Sequence, residues 1–148
     1  MSSSEAQGFQ IALDEAYKGY EEKGIPIGAA LVDEDGTILG RGHNMRIQKS
    51  SPTLHAEIAA LENAGRLSAN IYRRCTMYTT LSPCDMCSGA CILYGIKKVV
   101  IGENSTFVGA EKLLESKGIK TEILNNEECK HLMAKFIKKY PEKWAEDI

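Results

Sequence analysis

The 148-residue chain has no surplus of basic charge: 18 Lys and Arg stand against 20 Asp and Glu, a formal net charge of −2. Phosphate binding normally draws on clustered Lys and Arg, so this balance argues against a polynucleotide partner, although a local basic groove can survive an acidic total. No apolar run approaches the ~20 residues that cross a bilayer. The first residues, Met1 to Gly8, carry neither the basic segment nor the apolar segment of a secretion signal. Five cysteines, an odd number with two in C-x-x-C, fit reduced thiols better than a disulfide framework. Together these absences predict a cytoplasmic protein with no membrane contact, the nucleus remaining open as a second location. Repeats, linkers and low-complexity stretches are also missing, so residues 1–148 read as one domain. With 43% hydrophobic and 26% charged residues, the composition gives no case for disorder.

Phe9, Ala12, Leu13, Ala16, Tyr17 and Tyr20 fall at helical spacing, with Gly24 as a stop. Ile25 to Val32 is a short apolar run, Asp35-Gly36 signals a hairpin turn, and Thr37 to Gly42 returns antiparallel. Ser51-Pro52 predicts a helix start, serine at the N-cap and proline at the first position, running to Gly65. Cys75 to Thr80 reads as a strand. Ser82-Pro83 repeats the cap-plus-proline start, with Asp85 completing a capping-box-like S-x-x-D, and that helix runs to Gly95. Strands follow at Val99 to Gly102 and Ile119 to Leu124, with helices at Ala110 to Lys117 and Glu127 to Tyr140. The order α-β-β-α-β-α-β-α-β-α predicts an α/β fold with a mixed sheet and helices on both faces.

His55-Ala56-Glu57 and Pro83-Cys84-Asp85-Met86-Cys87 carry the chemistry. Imidazole and thiolate suit zinc, and three protein ligands leave the fourth position open for water. Both sets fall near predicted helix N-termini, where the peptide dipoles favour thiolate over thiol. Two thiolates cancel the metal's charge, so Glu57 beside it reads as the group that moves protons. H-x-E with P-C-x-x-C is the known signature of zinc-dependent deaminases. A closed structural site would need a fourth ligand, for which Cys91 is the candidate. It lies one turn beyond Cys87, away from the helix start, and reads better as a core thiol, as do Cys75 and Cys129. His43 reads as a surface or hydrogen-bonding residue and His131 as solvent-facing.

Beyond these motifs, the chain resembles the fungal cytosine deaminases of the cytidine and deoxycytidylate deaminase superfamily. The resemblance includes Gly24-Ile25-Pro26-Ile27-Gly28, Gly40-Arg41-Gly42-His43-Asn44-Met45-Arg46 and Thr79 to Cys87. It extends to Gly102-Glu103-Asn104 and the tail Trp144-Ala145-Glu146-Asp147-Ile148. It implies a three-layer α-β-α sandwich around a five-stranded mixed sheet, one Zn²⁺ per subunit on His55, Cys84 and Cys87, and Glu57 as proton shuttle. It also implies that Asn44 grips the pyrimidine edge, with the Asp147 carboxylate and the Ser82 carbonyl receiving the exocyclic amine. Phe107 and Trp144 would wall the ring, and Ala56, where the family usually has glycine, would offer its backbone N–H. The implied reaction is hydrolysis of free cytosine to uracil and ammonia in pyrimidine salvage, with attack at C4, by a homodimer.

Two other readings remain open from the sequence. A tRNA-specific adenosine deaminase shares the zinc motif but predicts a basic strand-binding surface, whereas this chain ends acidic. A zinc-stapled interaction module has only the cysteines in its favour. The apolar stripe Ala90, Ile92 and Leu93 suits either a core or a subunit interface.

Overall fold

The computed structural model describes residues 2–147. Ile148, the last residue of the tail motif, lies outside them. Thirteen elements follow one another: α1 (Ser3–Glu21), β1 (Gly28–Val32), β2 (Ile38–His43), α2 (Arg46–Lys49), α3 (Ala56–Ala64), α4 (Ala69–Arg74) and β3 (Thr76–Leu81). Then come α5 (Asp85–Tyr94), β4 (Lys98–Glu103), α6 (Glu111–Ser116), β5 (Lys120–Ile123), α7 (Glu127–Lys139) and α8 (Pro141–Ala145). The strands form one sheet in the order β2-β1-β3-β4-β5. β1 is antiparallel to both β2 and β3, while β3, β4 and β5 run parallel.

Strand side chains alternate between two apolar layers, as a period of two requires. Ala29, Leu31, Met77, Val99 and Ile101 face one layer, with Ala56 and Ala60 of α3, Cys91 of α5 and Leu114 of α6. Ala30, Val32, Tyr78 and Val100 face the other, with Phe9, Ala12 and Leu13 of α1 and Cys129 of α7. Helices therefore cover both faces of the mixed sheet, as the element order predicts. No helix among the described residues is long and apolar enough to cross a membrane.

The two strand directions decide where a site can lie. Gly28 opens β1 opposite His43 at the close of β2, and Ala29 opposes Thr79 near the close of β3. Leu81 and Glu103 close β3 and β4 side by side. The segments holding Ile27, Asn44, Ser82 and residues 104–110 are thus gathered at one end of the sheet. α3 reaches that end by lying close on β2. A Cβ at Gly40 would stand 2.3 Å from the Ala60 carbonyl oxygen, and one at Gly42 2.7 Å from the Ala59 methyl carbon. Those positions admit only glycine unless the helix moves.

Several local expectations need correction. α3 starts at Ala56, not at Pro52, and its N-cap is His55. The Ser51 hydroxyl instead accepts from the N–H groups of Thr53 and Leu54, closing a turn ahead of the helix. α5 starts at Asp85, not Pro83, with Cys84 as N-cap and no capping box. The Ser82 side chain donates to Glu111 at 2.6 Å and accepts from the Gly109 N–H at 2.8 Å, so it is engaged elsewhere. α1 begins earlier than its apolar spacing shows, at a capping box between Ser2 and Glu5. The short helices α2, α4 and α8 have too few residues to show a period, and Pro141 both ends α7 and opens α8.

Candidate active site

His55 and Cys84 occupy the N-cap positions of α3 and α5, both in extended backbone conformation and neither using its side chain as a cap. An N-cap side chain projects beyond the helix end, so the two helices offer a ligand each where their amide dipoles converge. Cys87, one turn into α5, is fully buried and completes the group. One ligand atom from each of His55, Cys84 and Cys87 lies within 4.8 Å of the others. The His55 Nδ1 to Cys84 Sγ distance is 3.6 Å. A tetrahedral zinc bound at its usual N and S distances separates such donors by about 3.5 Å. The residues present fit the metal.

Hydrogen bonding from Cys87, and then from His55, holds the Cys84 thiol far below its ordinary range despite its burial. The Cys87 thiol is pushed up, first by its bond to Cys84 and then by burial. Two sulfurs sharing a proton beside an imidazole form a cluster from which a divalent cation displaces protons. Among the described residues no fourth His, Cys, Asp or Glu joins this group. Cys91 is fully buried in the core, and burial pushes its thiol up to about 12, the behaviour of an inert packing residue. Cys75 and Cys129 are likewise buried, and His131 is exposed.

Glu57 lies in the first turn of α3 with 4% of its surface exposed, and burial pushes its carboxyl above the ordinary carboxylate range. A carboxyl raised in this way carries protons near neutral pH. It lines a cavity of about 580 Å³ together with His55, Ala56 and Cys84. Asn44, Ser82, Phe107, Trp144 and Asp147 line the same cavity, so the residues named from the sequence are brought to one place, with Cys87 buried beneath its floor.

The Asn44 amide has a defined orientation. Its Oδ1 accepts from the Arg46 backbone N–H at 3.0 Å, and a backbone N–H can only donate. The nitrogen Nδ2 is therefore turned away, and it is buried without a hydrogen-bond partner. An unmatched buried donor costs about 1–3 kcal/mol, so its position facing a cavity marks a place for an acceptor. The sequence leaves the amide free to donate or accept; the structure makes it a donor.

The rim is assembled from distant segments. Glu103, fully buried at the end of β4, accepts from the N–H groups of Ser105 and Thr106 at 2.8 and 2.9 Å and from the Thr106 hydroxyl at 2.6 Å. This ties down the loop that carries Phe107. Gly109 passes so near α5 that a Cβ there would stand 1.8 Å from the Pro83 carbonyl oxygen. α8 supplies Trp144, and Asp147 follows it. Ile27 and Leu81 add apolar floor, while Pro52, Met86 and Val108 add to the mouth. The sequence motifs assign no role to these five, nor to Arg46. Arg46 pairs with Asp147 across 101 positions of chain, a contact no local pattern announces.

Residues 2–103 match the family model described as the cytidine and deoxycytidylate deaminase zinc-binding region. A cytosine deaminase from Candida albicans is 57% identical over 148 residues, covering 100% of this chain and 99% of that protein. A tRNA-specific adenosine deaminase from Haemophilus influenzae is 44% identical over 103 residues, covering 68% of this chain and 59% of its own length. The solved structure of a guanine deaminase from Nitrosomonas europaea superimposes with a TM-score of 0.74 at 22% identity, covering 91% of this chain and 84% of that one, a likeness of fold.

Proposed function

Because the chain belongs to the cytidine and deoxycytidylate deaminase zinc-binding family, we propose that it hydrolyses free cytosine to uracil and ammonia. The observation that carries this reading is the buried, unpartnered Asn44 Nδ2 donor, sharing one small cavity with the Asp147 carboxylate and the metal-binding cluster. A donor and an acceptor placed around one cavity suit a flat ring bearing a carbonyl at C2 and an amine at C4.

The roles of the residues follow from their chemistry. Zinc on His55, Cys84 and Cys87 would lower the pKa of a bound water to about 7 and so supply a nucleophile. Glu57 takes one proton of the attacking water and passes it to ring atom N3. As the C4–N bond breaks it moves the second, from the new C4 hydroxyl, to the departing amine, which leaves as ammonia. Asn44 Nδ2 donates to the C2 carbonyl. Asp147 and the Ser82 carbonyl accept from the amine and orient it towards the metal. The Ala56 N–H adds a donor on the pyrimidine edge. Phe107 and Trp144 cover the ring faces and exclude water, which strengthens each polar contact inside. Arg46, the one Lys or Arg among the cavity's lining residues, is already paired with Asp147, so no free cation there meets the phosphate of a nucleotide.

Incubating the zinc-loaded protein with cytosine, cytidine, deoxycytidylate and adenosine, and measuring ammonia, tests the assignment. Release from cytosine alone is expected. Turnover of adenosine, or salt-sensitive binding of tRNA, would turn the reading to the tRNA branch of the family.

We also infer a homodimer in the cytoplasm. Leu93 is 75% exposed beside Tyr94, and although Ile92 packs against the core, it and Ala90 are only half-buried, so the apolar stripe of α5 is not fully spent on the core. None of the five cysteines is paired in a disulfide, in keeping with a reducing compartment. Light scattering after size exclusion should give twice the chain mass, and a monomer would remove the inference.

A further inference from the structure

Arg46 opens α2 and touches three separate parts of the site. Its backbone N–H fixes the Asn44 amide. Its side-chain Nε donates to the Pro52 carbonyl at 3.1 Å, in the turn before His55. Its Nη1 donates to the Glu146 carbonyl at 3.2 Å and pairs with the Asp147 carboxylate. The side chains of Arg46 and Asp147 are only 22% and 4% exposed, so water and salt weaken the pair little. Arg46 and Pro52 also line a second cavity of about 400 Å³, bounded further by Lys143 and Glu146. Arg46 therefore lines both that space and the main cavity.

We propose that Arg46 is a positioning residue: its guanidinium latches the carboxyl-terminal segment over the cavity and aims the Asp147 carboxylate, while its backbone N–H turns the Asn44 donor inward. Two recognition groups that are 103 residues apart in number, 44 and 147, are thereby set by one side chain and its own backbone. A guanidinium suits this task because its planar fork serves several acceptors at fixed angles, whereas an ammonium is a single point of charge. Aiming matters because a carboxylate that wanders when the cavity is empty must be ordered at the cost of binding energy. The inference rests on the base-binding reading only for its kinetic consequence.

Trp144, the single tryptophan of the chain, sits on the latched segment at 9% exposure and reports its closure directly. The full-length, zinc-loaded protein is compared with Arg46→Gln and Arg46→Lys by acrylamide quenching of tryptophan fluorescence. In Arg46→Gln the quenching constant should rise about two- to threefold as the segment opens locally. Arg46→Lys, which keeps charge without the fork, should fall between. With cytosine, KM should rise about tenfold in Arg46→Gln while kcat falls less, since the loss is of aim and not of the reacting groups. Unchanged quenching in a folded, zinc-bearing Arg46→Gln overturns the latch, even if activity drops. Should Arg46→Gln fail to fold, unchanged quenching in Arg46→Lys overturns it equally. If the unaltered protein ignores cytosine, the functional reading fails while the quenching result still decides the latch.

Discussion

The metal-binding floor of the cavity and its recognition rim are built in opposite ways. The floor comes from two short stretches, His55 to Glu57 and Cys84 to Cys87, each fixed to the first turn of a helix by backbone geometry. The first helical bonds, from the Ala59 N–H to the His55 carbonyl and from the Ser88 N–H to the Cys84 carbonyl, are both 2.8 Å long. The rim comes from residues 44, 107, 144 and 147 on separate segments: short-range side-chain bonds orient Asn44 and the turn before Phe107, and the Arg46–Asp147 pair ties the carboxyl-terminal segment across 101 positions. Floor geometry therefore follows once α3 and α5 form and pack with their first turns together. Rim geometry survives only while the separate segments stay docked, the carboxyl-terminal one through the Arg46–Asp147 pair.

The sharpest way to break the comparison is to remove chemistry from the floor and leave the rim untouched. Glu57→Gln keeps shape and hydrogen-bonding capacity but cannot shuttle a proton. Its kcat on cytosine should fall about 10²–10⁴-fold, with KM and bound zinc close to those of the unaltered protein. A large rise in KM with kcat preserved would move Glu57 from the floor's chemistry to the rim's recognition.

The reverse experiment removes a rim donor and spares the floor. Asn44→Ala deletes Nδ2 and also frees the Arg46 N–H. The cost at the substrate is that of leaving one buried carbonyl without its donor, about 1–3 kcal/mol, or about 5- to 150-fold in kcat/KM. Zinc content measured by atomic absorption should stay at one per chain. Loss of metal in this variant would show that rim and floor are not separable.

The same division separates what is legible in the amino-acid sequence from what is not. The zinc ligands and Glu57 stand in local motifs, and the strand and helix order follows from periods of two and three to four residues. Sequence pattern misplaces the helix starts because Ser51 and Ser82 look like caps, yet their hydroxyls are taken by a turn and by Glu111 and Gly109. The true caps are His55 and Cys84, whose side chains lie in the cluster that could hold a metal, so the usual polar cap signal is absent where the helices begin. Arg46 stands in a motif that gives it no role, since its partners at 146 and 147 become neighbours only when α8 returns to the sheet end. Glu103 gives no outward sign either: a carboxylate closing a strand looks exposed in sequence, and here it is fully buried beneath the loop it organises.

The smallest effect tests whether rim contacts also carry stability. The strand end that delivers Asn44 is held by His43, whose ring nitrogens lie 2.8 Å from Glu15 and 2.9 Å from Glu22. Burial alone would raise the Glu15 carboxyl, but hydrogen bonds from His43, then Arg41 and Lys18, outweigh it and bring the group to about 2. Because this folded value lies below the ordinary 4.5, the unfolded chain takes up the proton first as pH falls. The contribution is present in full above the unfolded pKa and is lost as pH drops through that value to the folded one. Glu15→Gln abolishes the charge at every pH. Its melting temperature should therefore lie below that of the unaltered protein near neutrality, with the gap narrowing as pH falls from about 5 towards 2. A gap that stays constant across that range would assign Glu15 a packing role alone, and would place the anchorage of Asn44 in the strand's backbone pairing with β1.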